Sequence, residues 1–167
     1  MELYAKLDRI FAVRDRANMQ ATIDALLPLY EEHPADARVL LELGGAYDTA
    51  GDEERARGLY ERALEAGLDG EHLRRCYVQY GSTPRNVGAI DESLAVFARA
   101  RQVFPDSAAL AAFEAITLHA AGRLHESVAT LLRTVADYAP GGDVARYSPA
   151  LRGNADYIAG LTTQQSD

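Results

Sequence analysis

Three glycines set the frame of this chain. Gly51, Gly88 and Gly122 stand 37 and 34 residues apart, each inside a segment that resembles the other two. Seven residues before each comes a small residue (Gly44, Gly81, Ala115), and five after comes another (Ala56, Ser93, Ser127). Nine after comes a bulky one: Tyr60, Phe97, Leu131. A repeat of this period is one supersecondary unit that buries its apolar face only against its neighbours. The spacing predicts a helical hairpin in each unit. The glycine takes the left-handed backbone that ends the first helix. The small residues let two antiparallel helices approach, and the bulky one fills the gap to the next hairpin.

Composition is consistent with this reading. The 167 residues carry 48% apolar and 25% charged side chains, enough for one domain with a sizeable core. Lys and Arg number 17 against 25 Asp and Glu, and the net charge of −8 argues against nucleic acid or an anionic membrane as partner. Cys76 is the only cysteine, so neither an intrachain disulfide nor a cysteine zinc cluster is expected. The first residues, MELYAKLDRIFAVRD, place charges where a signal peptide needs an apolar run, which points to a cytoplasmic protein.

The pattern of large, small, aromatic, turn glycine, small, aromatic and alanine is carried best by Leu40, Leu43, Gly44, Tyr47, Gly51, Ala56, Tyr60 and Ala63. It recurs in Tyr77, Tyr80, Gly81, Gly88, Phe97, Ala100 and Pro105. In this the chain resembles the tetratricopeptide repeat family, and in particular its short stand-alone bacterial members of group 5. The resemblance covers residues 18–139 and implies an all-α, right-handed α-solenoid of antiparallel helical hairpins. About three and a half to four repeats and a C-terminal capping helix are expected. The hairpins are expected near 1–35, 36–70, 71–106 and 107–139, with the capping helix near 143–161. These form a single domain over 1–161, followed by a frayed tail, 162–167. Helix 1–16 is amphipathic, with either Leu3, Leu7 and Ile10 or Tyr4, Leu7 and Phe11 inward. Asn18 can cap the next helix, and the last helix starts at Ser148–Pro149 or earlier, at Asp143.

Chemistry-bearing constellations are thin. His33, His72, His119 and His125 are scattered, and solvent-exposed or groove-lining roles suffice for them. Cys76 follows two arginines that favour a thiolate, yet it sits one residue ahead of core position Tyr77, where a partly buried, inert thiol is expected. The runs Asp52-Glu53-Glu54 and Asp91-Glu92 open helices, where negative charge suits the helix dipole. No catalytic residue, metal site or cofactor is expected, and the chain reads as a non-enzyme.

Charge by repeat is more informative. Residues 71–106 carry five basic and four acidic side chains, the one net-positive repeat of an acidic chain. The resemblance implies that the first helix of each hairpin lines a concave groove. Carried onto this sequence, the groove includes Arg38, Glu42 and Asp48, then Arg75, Gln79, Ser82, Arg85 and Asn86, with Phe113 and Ile116 as an apolar wall. Arginine forks with amide and hydroxyl groups suit an acidic or carboxylate-bearing peptide. Pairing of Arg75 and Arg85 with Glu42 and Asp48 across the groove would account for the same residues. The lysine and asparagine of the family's chaperone-tail clamp are replaced by Leu41 and Gly45. Pro84 falls inside the helix that carries the basic residues, either bending the groove wall or kinking it without consequence. The expected function is a protein- or peptide-binding scaffold; the alternative is self-association into a homodimer through the groove or the final helix.

Overall fold

The computed structural model describes residues 2–139 and 141–164, and among these it contains nine α-helices and no strand. The fold is an all-α helical repeat. The chain divides into two compact units, 1–87 and 88–167, with the boundary at the second turn glycine.

The first unit holds α1 (Glu2–Val13), α2 (Gln20–Glu32), α3 (Ala37–Ala50), α4 (Glu53–Glu65) and α5 (Gly70–Asn86). The α3–α4 hairpin shows why the repeat reads as it does. Gly51 has φ +85°, and beyond it the Asp52 amide donates to the Tyr47 carbonyl at 2.9 Å, closing the end of α3. The Asp52 carboxylate then accepts from the Arg55 amide at 3.2 Å and starts α4. A β-carbon on Gly44 would stand 3.0 Å from two ring carbons of Tyr60, so the absence of a side chain there is what admits the ring. Ala56, Tyr60 and Ala63 are fully buried. Helix α5 continues through Pro84, itself buried, and ends two residues later. A proline in the last turn forfeits one backbone hydrogen bond without interrupting a long run of them. Asn18 is not the cap of α2: Met19 holds that position without a side-chain cap bond, and the Asn18 side chain accepts from the Gln20 amide at 3.3 Å from one residue further out.

The second unit holds α6 (Ile90–Val103), α7 (Ala108–Ala120), α8 (Leu124–Tyr138) and α9 (Gly142–Gln164). At Gly122, with φ +75°, the Arg123 amide donates to the Leu118 carbonyl at 2.9 Å, repeating the Gly51 turn. Ser127 is buried and donates to the Ala115 carbonyl at 2.7 Å, so this small pair draws α7 and α8 together. The hydroxyls of Ser93 and Thr117 meet at 3.0 Å between α6 and α7.

At the C-terminal end one alternative is decided and one bound moves. Of the two starts expected for α9 the earlier holds: the helix begins at Gly142, has Asp143 in its first turn and contains Pro149, and the Ser148 hydroxyl donates to the carbonyls of Ala136 and Val144 instead of capping the start. Helix α9 also runs to Gln164, beyond the expected limit at 161. Its expected inward residues hold: Ala155 is fully buried, and Leu151 and Ile158 are partly buried. The expected chain break at Pro140 and the last tail residues, 165–167, lie outside the described residues.

Candidate functional site

Helices α3 and α5 each turn a polar stripe to the same face of the first unit. On α3 the stripe is Arg38, Glu42, Gly45 and Thr49; on α5 it is His72, Arg75 and Gln79, at helical spacings of three and four. Its centre is Glu42, only 7% exposed. The Glu42 carboxylate receives the Arg75 guanidinium at 2.5 Å and that of Arg38 at 3.3 Å. Arg38 also donates to His72 Nε2 at 2.6 Å. Arginine has only donors, so His72 Nε2 accepts and its proton sits on Nδ1. Burial, reinforced by Arg38 and Arg75, holds the His72 pKa below the ordinary histidine value. His72 Nδ1, Arg38 Nε, Arg75 Nε and Gln79 Oε1 are all buried with no hydrogen-bond partner. A native interior leaves few such atoms, and here four gather around one carboxylate.

Helix α1 reaches this face. Asp8 pairs with Arg38 at 2.8 Å, and the Arg75 guanidinium lies 4.9 Å from the centre of the Phe11 ring. Tyr4 stands 5.6 Å from the Arg38 guanidinium and donates its hydroxyl to Asp36 at 3.2 Å. Between α1, α3 and α5 remains a cavity of about 60 Å³, lined among others by Phe11, Met19, Glu42, Gly45 and Gln79. That is room for a few waters, far below the several hundred Å³ of a small-molecule site. Gly45 makes the space, since a β-carbon there would stand 3.2 Å from Gln79 Nε2.

Of the residues singled out from sequence, Arg38, Arg75 and Gln79 come together around Glu42 and Gly45. Ser82 is turned back, its hydroxyl donating to the Val78 carbonyl at 2.8 Å. Arg85 and Asn86 sit at the end of α5, their side chains 3.5 Å apart. Phe113 and Ile116 lie on α7 of the second unit, and both are exposed. Asp48 serves a different purpose, accepting from Tyr60 at 3.3 Å and Thr83 at 3.2 Å, with its own pKa raised by burial. Cys76 is fully buried, and its thiol is pushed up to about 12 by burial, which makes it inert. Among the described residues, no three His, Cys, Asp or Glu side chains gather as a metal ion would need.

Sequence reasoning missed the contribution of α1, and it left His72 as solvent-exposed or groove-lining without joining it to Arg38. The signal was present in the 4,3 spacing of Tyr4, Asp8 and Phe11, which shares one helix face. An amphipathic pattern alone left two registers open.

A family model described as tetratrico peptide repeat matches residues 37–156, more than two thirds of the chain. No curated protein matches it. The matched span runs from the first residue of α3 into α9 and contains all three repeat glycines, Gly51, Gly88 and Gly122; the chain belongs to the tetratricopeptide repeat family.

Proposed function

We propose that the chain is a non-enzymatic scaffold that binds an acidic segment of a partner protein on the α3–α5 face of its first unit. Tetratricopeptide repeats generally bind proteins or peptides. The carrying observation is the count of charges on this face: two guanidinium groups share one buried carboxylate, and each keeps a buried Nε without a partner. On α3 and α5 alone this leaves one positive charge, which Asp8 of α1 meets at Arg38 and which a ligand carboxylate would meet in its place. Gln79, Ser82, Arg85 and Asn86 continue the face along α5, and Phe113 and Ile116 offer a separate apolar surface on α7. A net charge of −8 favours a protein over nucleic acid or an anionic membrane. Selection from a random-peptide display library on the immobilised full chain tests this. Enrichment of acidic peptides that bind Arg75→Gln at least tenfold more weakly supports it. Enrichment of neutral or basic peptides, indifferent to that change, contradicts it.

Self-association is favoured by a different observation. On α8, Leu124, Val128, Leu131, Val135 and Tyr138 recur at spacings of 4, 3, 4 and 3 and are each 40–53% exposed. Leucine and β-branched valine alternate along this stripe as in a coiled-coil seam. Its flanking positions, His125, Ser127, Leu132 and Thr134, include no Asp, Glu, Lys or Arg. A second copy of an acidic chain could pack there without opposing like charges. Sedimentation equilibrium should show a dimer that Leu131→Glu abolishes; a wild-type monomer at every concentration rules this out.

A further inference from the structure

We propose that α1 is the resident occupant of the α3–α5 face, and that the partner is a helix presenting the same groups, which takes its place. This rests on the reading of that face as the binding surface. The groups are an aliphatic side chain, a carboxylate next to it, and an aromatic ring three residues further on: Leu7, Asp8 and Phe11 in α1.

Asp8 and Phe11 each have a receptor on this face. Leu7 is fully buried and is the only buried residue of α1. Asp8 reaches Arg38 at 2.8 Å, and Phe11 lies against the Arg75 guanidinium. The charges explain why a carboxylate is required. Arg38 and Arg75 face Glu42 alone on α3 and α5, and Asp8 supplies the second negative charge. An incoming helix without an acid would leave a guanidinium partly buried and uncompensated, which is costly.

The occupant is held so that it can leave. Helix α3 buries seven residues and α2 four, whereas α1 buries one. Asp8 is 68% exposed at its side chain, and the rings of Tyr4 and Phe11 are also exposed. Exposed ion pairs and partly exposed rings hold a segment weakly, and such segments open ahead of the core. A non-helical connection, 14–19, joins α1 to α2, so α1 can swing away without unwinding α2. Tethering keeps α1 at high effective concentration, so a partner binds only if it matches these contacts or improves on them.

The test uses the full chain and a fluorescent peptide with the sequence of residues 2–13. Asp8→Asn combined with Phe11→Ala weakens the resident helix while leaving Leu7 and the receptor side chains intact. The peptide should bind this variant at least tenfold more tightly than wild type, and adding Arg75→Gln should remove the gain. In wild type, excess peptide should speed amide exchange in α1 while exchange in α3 and α5 stays slow. Equal affinity for wild type and variant, lost with Arg75→Gln, would overturn the role of α1 and leave the acidic-segment surface standing. No binding to a folded variant would overturn it too. So would a wild-type dimer that Asp8→Asn with Phe11→Ala converts to monomer, since α1 would then belong on a neighbouring copy.

Discussion

Arg75 Nη2 stands 2.5 Å from Glu42 Oε1, joining α5 to α3 across 33 residues of sequence. The two side chains are 24% and 6% exposed, so the pair is largely shielded from water. Removing the arginine leaves a buried carboxylate with Arg38 as its remaining partner. A double-mutant cycle of Glu42→Gln and Arg75→Gln in urea denaturation should give a coupling of about 1–3 kcal/mol. Additive effects would show that the two groups do not meet.

His72 makes the same cluster sensitive to acid. Its folded pKa is depressed by burial and by the two arginines, so the unfolded chain binds the proton more readily. Stability is therefore at its full value above the ordinary histidine value of 6.5 and is lost as pH falls through the lower folded value. Protonation also ends the ability of Nε2 to accept from Arg38. His72→Gln should flatten the decline in melting temperature between about pH 6.5 and 5. An unchanged slope would place the acid sensitivity elsewhere.

The α3–α4 contact tests the repeat packing. Ala56 is fully buried, and Ala56→Leu should overpack the hairpin and lower stability by about 1–3 kcal/mol. Gly44→Ala should also destabilise, since its new methyl meets the Tyr60 ring at 3.0 Å. Melting midpoints equal to wild type would mean the small residues do not set the helix separation.

Helix α9 covers α8 as a cap. Ala155 is fully buried, Ser148 donates to the Ala136 carbonyl at 3.0 Å, and Arg133 and Arg152 form ion pairs across α8 and α9. Deleting residues 142–167 should uncover the flank of α8 around Ala136 and promote aggregation. A soluble truncated chain of full stability would make α9 dispensable.

The repeat was legible because its constraints are local. A turn glycine, a small residue seven before it and another five after dictate one hairpin geometry, and Gly51 and Gly122 adopt it with the same backbone bonds. Positions on α3 and α5 followed by carrying the family's groove positions back from Gly51 and Gly88, which is why Arg38, Arg75 and Gln79 were named together. Helix α1 has no turn glycine in phase with the others, so counting could not tell which of its faces meets α3. Its contacts depend on long side chains meeting across 30 residues or more. Ser148–Pro149 misled for a related reason: Ser-Pro is a strong local start signal, but tertiary bonds to the Ala136 carbonyl place it inside α9.

Which surface receives the partner is open to direct measurement. Amide chemical-shift mapping of the full chain, titrated with an acidic peptide taken from the display selection, locates it. The expected result is a set of shifts centred on Arg38, Glu42, Gly45, His72, Arg75 and Gln79, absent in Arg75→Gln. Shifts confined to Phe113 and Ile116 on α7, or to the Leu124–Tyr138 stripe on α8, would contradict it.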